Sequence, residues 1–267
     1  MTTEVMTKQA SAVASYDYGQ FAGTGFEGTK PTDLAVPFLA ILQSNSPQVE
    51  EQSPKGATAG QLINTVTQSL IPGDAGVVFL PVHMDEAFVE WVPRNKGGGL
   101  VSMHAPDSDV VRKAVEANGG SRVGKLRYGD NDLVETHYVY GLILNDNGSD
   151  VESFAVIAFK STGIKPYRQF VTNMYTLKGR PPIFANRVRI KTIKQKNEKG
   201  SFFNFDINPL RESYRASLIN PVQESSLLEA AVSFREQVVN GIARADFSQE
   251  RTVGDPTAAT DPENAPF

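Results

Sequence analysis

No cysteine occurs anywhere in the 267 residues. Disulfides, thiolate metal ligands and cysteine nucleophiles are therefore excluded. Histidine is almost as scarce, with only His83, His104 and His137, and these fit no metal-ligand spacing. His83 with Asp85 and Glu86, or Glu135 with His137, could assemble a hard-metal site, but pairs adjacent in a strand point to opposite faces. No metal and no cofactor is expected. No run of 18 apolar residues is present, so neither a membrane-spanning helix nor a membrane partner is expected. Met1 to Gln9 lacks the basic start and apolar stretch of a signal peptide, which makes a cytoplasmic location the default. No Gly-x-Ser-x-Gly elbow occurs, and the three consecutive glycines Gly97, Gly98 and Gly99 are not the spaced pattern of a phosphate-binding loop before a helix. The chain reads as a non-enzyme.

What is present is an ordinary globular composition, 40% hydrophobic and 21% charged, long enough for a sizeable core. Val77–Val82, Phe88–Val92, Glu135–Leu144, Phe154–Phe159 and Ser201–Ile207 carry the β-branched and aromatic content of strands. Asn145-Asp146-Asn147-Gly148 is a hairpin-type turn. Tyr167, Phe170, Val171 and Met174 fall at helical spacing. A second apolar stripe, from Leu227 to Ile242, marks an amphipathic helix. Residues 105–132 look polar and turn-rich. The expected architecture is mainly β, a barrel like the oligonucleotide-binding (OB) fold, with one or two helices. Its divisions are a flexible arm over 1–30, a β-rich core over 31–220, the helix over 221–244 and a disordered acidic tail over 245–267.

Charge is unevenly spread. The tail from Asp246 holds five acids and one cation, a net −4 that equals the charge of the whole chain, so residues 1–245 are neutral. Within that neutral body, Lys160 to Lys199 contains eleven cations and only Glu198 against them. They are Lys160, Lys165, Arg168, Lys178, Arg180, Arg187, Arg189, Lys191, Lys194, Lys196 and Lys199. Such a stretch is a footprint for an anionic polymer. Aromatics interleave it, and flat rings stack on unpaired bases at about 1–3 kcal/mol each. Tyr138, Tyr140, Tyr167 and Tyr175 are the tyrosines expected on a wet surface; Phe154, Phe170 and Phe203 are expected in the core. Trp91, the only tryptophan, precedes Arg94, Lys96 and three consecutive glycines, where a ring and two cations could meet a strand.

The ending Asn264-Ala265-Pro266-Phe267, preceded by Asp261 and Glu263, resembles the tip of bacterial and phage single-stranded DNA-binding proteins. The basic, aromatic-rich core without cysteine looks more like the larger members from tailed phages. The resemblance implies an OB barrel, a role in phage DNA replication or recombination inside the host cytoplasm, and a tail in which Asp261, Glu263, Pro266 and Phe267 recruit partner proteins. Sequence-independent binding of single-stranded DNA is the resulting expectation, with self-association left open. The rivals are a strand-annealing recombination protein, a metal-dependent nucleic-acid enzyme, and a host-interaction protein that binds no nucleic acid.

Overall fold

In the computed structural model, residues 24–25, 27–28, 35–197 and 200–251 are described. The order of elements is β1 (Ala35–Val36), β2 (Leu39–Ile41), α1 (Pro47–Glu50), β3 (Leu62–Asn64), β4 (Leu70–Ile71), β5 (Val77–Trp91), β6 (Leu100–His104) and α2 (Asp109–Ala117). The chain continues through β7 (Leu126–Tyr128), β8 (Asn131–Leu144), β9 (Val151–Lys160), α3 (Ile164–Tyr175), β10 (Val188–Asn197), β11 (Gly200–Pro209), α4 (Ser225–Val239) and β12 (Arg244–Ala245).

Two long antiparallel strands, β5 and β8, form the spine. At one end β10 flanks β5 and β9 flanks β8, with β11 beyond β10. At the other end β6 and β7 take those flanking places. The mainly β expectation holds, but among the described residues the strands make three separate sheets and no closed barrel. Among the described residues there are four α-helices rather than one or two.

The sequence divided β5 in two because His83, Asp85 and Glu86 interrupt its apolar run. The strand is continuous, and a register shift between Pro81 and His83 accommodates the proline. Proline cannot donate to a ladder, so in a central strand it belongs at such a bulge. The helix α2 lies within the stretch whose sequence looks polar and turn-rich. Its start is marked by Ser108, whose hydroxyl accepts from the Val111 N–H. Val111 and Ala114 are its buried face, closing a small cluster with Phe88, Leu126 and Leu133.

Side chains alternate along each strand, so the spine has two apolar faces. On one, Val78, Leu80, Val89, Trp91, Tyr138, Tyr140 and Val156 pack under α4 through Leu227, Ala231 and Phe234. On the other, Phe79, Val139, Ile157, Phe159 and Ile190 pack under α3 through Phe170 and Met174. Burying each of those two α3 side chains contributes about 1.5–3 kcal/mol relative to exposure. Phe154, expected inside, is 43% exposed and stacks on Phe234 at 5.4 Å.

The spine is tightly packed at Gly141 in β8. A Cβ there would lie 2.3 Å from the Phe79 ring and 2.5 Å from the Leu80 carbonyl oxygen. Gly141→Ala is expected to cost about 1–3 kcal/mol by overpacking. A lower urea midpoint with unchanged slope would show it; a wild-type midpoint would contradict the packing described.

The arm over 1–30 falls mostly outside the described residues, as does the tail from residue 252. The beginning of the expected tail differs from a mobile segment. β12 pairs in parallel with β1, and residues 247–251 form a 3-10 turn packed against the core.

Candidate nucleic-acid interface

Helix α3 starts after a 3-10 turn over Ser161–Gly163 at the end of β9. Because Tyr167, Phe170, Val171 and Met174 face the sheet, Lys165, Arg168, Thr172 and Tyr175 share the outward stripe. The stripe runs into the loop bearing Lys178 and Arg180. Tyr175 is 63% exposed, and the Arg180 guanidinium lies 4.5 Å from its ring centroid. Such a cation–π contact holds a flat ring at the surface beside a charge. Arg215 donates from Nη2 to the Lys178 carbonyl at 2.9 Å and adds a cation that lies outside the basic stretch of the sequence.

Helix α3 also packs on β11, whose partner β10 carries Lys191, Lys194 and Lys196. Lys194 and Lys196 are exposed; Lys191 is half-buried, with Asp206 opposite it in the register. Among the described residues, no carboxylate lies within ion-pair distance of Lys165, Lys178, Arg180, Lys191, Lys194 or Lys196. The edge of this strand pair is held by Gln43. Its side-chain amide donates to the Phe203 carbonyl at 2.8 Å and accepts the Phe203 N–H at 2.9 Å.

The other cations are engaged. Arg168 donates to Glu135 at 3.0 Å although it remains exposed. Arg189 pairs with Asp146 at 3.3 Å. Lys96 pairs with Asp130 at 3.0 Å, and Arg94 opens the same short 3-10 turn. Lys160 and Arg187 are not on a wet surface at all. Both lie on the α4 side of the sheet, where Lys160 pairs with Glu250 at 3.2 Å and Arg187 with Glu224. Burial works to raise the Glu224 carboxyl, but the Asn220 N–H and the Arg187 guanidinium together hold it below its ordinary value.

Most of the expected stacking rings are interior as well. Trp91 and Tyr138 are each 1% exposed, and Tyr140 is buried. Burial, and then the charge of Asp85, pushes the Tyr140 hydroxyl up to about 12. Burial and the neighbouring Glu250 carboxylate raise Tyr138 further. These rings are core because they alternate inward on long strands. Tyr167 is half-buried and stacks on His137 at 4.4 Å. Tyr175 is the one expected ring that is widely exposed. The tip residues Asp261, Glu263, Pro266 and Phe267 lie outside the described residues.

Contrary to what the sequence led one to expect, Glu135 and His137 do not point to opposite faces. Glu135 and His137 are two apart, so they share a face, and Glu86 stands opposite His137 on β5. The ligand atoms of these three residues lie within 4.8 Å of one another. Glu135 Oε1 is 2.9 Å from His137 Nε2 and also accepts from Arg168, so a protein network already engages it. His104 is held instead by the buried Glu90 at 2.8 Å.

A mainly β protein with one cationic, ring-bearing outer face is the class these features define. The chain belongs to the Pam3 phage gp34-like protein family, whose model matches residues 6–244. No curated protein and no solved structure matches it. Among the described residues, no helix is long and apolar enough to cross a membrane.

Proposed function

We propose that this phage protein binds single-stranded DNA without sequence preference, along the outer face of α3 and the β10–β11 pair. The observation that carries this reading is the exposed Tyr175 ring, with Arg180 stacked on it, beside Lys165 and Lys178, which have no carboxylate within ion-pair distance among the described residues. An unpaired strand offers that arrangement both of its recognisable parts, phosphates for the cations and a base face for the ring. A duplex hides its bases and would use only the charge. Lys165, Lys178, Arg180 and Lys194 track phosphates, and Tyr175 stacks a base; Lys191, adjacent to Ile190 and opposite Asp206, falls on the other face of β10. The protein acts by coating DNA in replication or recombination and not as an enzyme. The C-terminal tip, with the acids Asp261 and Glu263 and the closing Pro266 and Phe267, recruits replication or recombination proteins.

Tyr175→Ala is expected to weaken binding of an unpaired oligonucleotide by about 1–3 kcal/mol. The salt slope stays unchanged, because a stacked ring releases no counterions. Fluorescence anisotropy across a salt series measures both. A wild-type affinity would remove the ring from the site.

A further inference from the structure

The ordered segment that ends the described chain seals the opposite side of the sheet with two unlike groups. Phe247 stands edge-on to Tyr138 at 5.2 Å and to Phe38 at 6.1 Å. Three residues on, in the same 3-10 turn, Glu250 enters the interior with its side chain only 2% exposed. Its carboxylate accepts from the Tyr138 hydroxyl at 2.6 Å and from Lys160 Nζ at 3.2 Å. Lys160 in turn lies 5.9 Å from the Trp91 ring centroid. Beside this ion pair is a cavity of about 60 Å³ lined by Phe38, Leu39, Ala158, Phe203, Phe205 and the two charged side chains.

An apolar filling of equal shape would serve stability at least as well as a buried ion pair, because desolvating two charges offsets most of their attraction. The pair therefore calls for another explanation. A ring and an anion, spaced three residues apart and received by rings and a lysine, are the same two groups that one nucleotide presents.

We propose that Lys160, Tyr138, Phe38 and Trp91 form a nucleotide pocket, occupied in this conformation by Phe247 and Glu250 as an internal stand-in for base and phosphate. The ligand class is one nucleotide of an unpaired strand. This deepens the proposed function and rests on it, but uses the sheet face opposite α3. The segment over residues 244–251 meets the body through the two-residue β1–β12 ladder, the buried Ala245 beside Tyr140, the Phe247 ring and the Glu250 carboxylate, and none of these is a rung of the β5–β8 spine. Strand binding in the pocket and withdrawal of the segment are then coupled, and each favours the other.

The test is a titration of the full chain with short oligothymidylate, following the fluorescence of Trp91, the only tryptophan. The Phe247→Ala/Glu250→Gln double variant is expected to bind about tenfold tighter than wild type, as when the competent fraction rises from about one-tenth to nearly all. Trp91 emission should change on binding, and adding Lys160→Gln should abolish both effects. Glu250→Gln alone, which keeps an amide within reach of Tyr138, serves if the double variant does not fold. Wild-type affinity and silent Trp91 emission in these variants, with Tyr175→Ala still weakening binding, would overturn the pocket and leave the outer face standing. Absence of oligonucleotide binding by every form would overturn both.

Discussion

Replacing Arg187 by methionine is expected to destabilise the protein by about 3–5 kcal/mol, the usual result of removing one partner of a buried ion pair. At this chain length that is a fall in melting temperature of about 6–20 °C. The guanidinium is the junction of three loops. Its Nε donates to the Ser217 carbonyl at 3.3 Å, Nη1 to the Gly148 carbonyl at 3.0 Å, and Nη2 to the Leu218 carbonyl at 3.2 Å. It also forks onto Glu224 just before α4. Methionine fills much of the volume but removes the side-chain donors from the Gly148 and Leu218 carbonyls and from Glu224, while the Ser217 carbonyl keeps the backbone N–H of residue 187 and Glu224 keeps that of Asn220. Glu224 is 27% exposed and can regain water, so the loss stays at the lower end for that partner. Lysine does not rescue, because an ammonium cannot reproduce the planar fork. Urea unfolding measures the effect, and affinity for an unpaired strand should be unchanged under folding conditions. A loss below about 1 kcal/mol, the range of an exposed pair, would contradict the structural role given to Arg187.

Neutralising Lys165, Lys178, Arg180 and Lys194 together, each to glutamine, is expected to have the largest effect on DNA affinity. Single-strand binding has a logarithmic salt slope of about −0.7 per neutralised phosphate, so four lost contacts flatten it by about 2.8. Between 50 and 200 mM salt the wild type should then lose about fiftyfold more affinity than the variant. Stability should change little, since these side chains are exposed and none forms an ion pair among the described residues. Parallel salt plots for the two proteins would show that these cations do not touch the strand.

How much of this was legible in the chain depends on how local the signal is. β8 and β9 could be read from their own residues, because the Asn145–Gly148 turn sits between two runs rich in β-branched and aromatic residues. α3 and α4 could be read from apolar periodicity. α2 was hidden by four charged residues among nine, Asp109, Arg112, Lys113 and Glu116, which left only Val111 and Ala114 as a buried face. The basic stretch was visible, but its division between two sheet faces was not. Lys160 and Arg187 look like their neighbours in sequence, while their partners Glu250 and Glu224 are 90 and 37 residues away. Nor could the sequence distinguish Tyr175 from Tyr138. Both are tyrosines in an aromatic-rich chain, and only the strand that places Tyr138 inward and the helix that places Tyr175 outward separate them. The cluster of Glu86, Glu135 and His137 was within reach, since strand alternation puts residues two apart on one face.

The central claim is that the outer face of α3 and the β10–β11 pair holds an unpaired strand through charge and one ring. The most direct measurement is an anisotropy titration of the full chain with a labelled single strand and with its duplex, at one low salt concentration. The account predicts tighter binding of the single strand, with Tyr175→Ala narrowing the gap between the two. Equal or tighter binding of the duplex, or no binding of either, would contradict it.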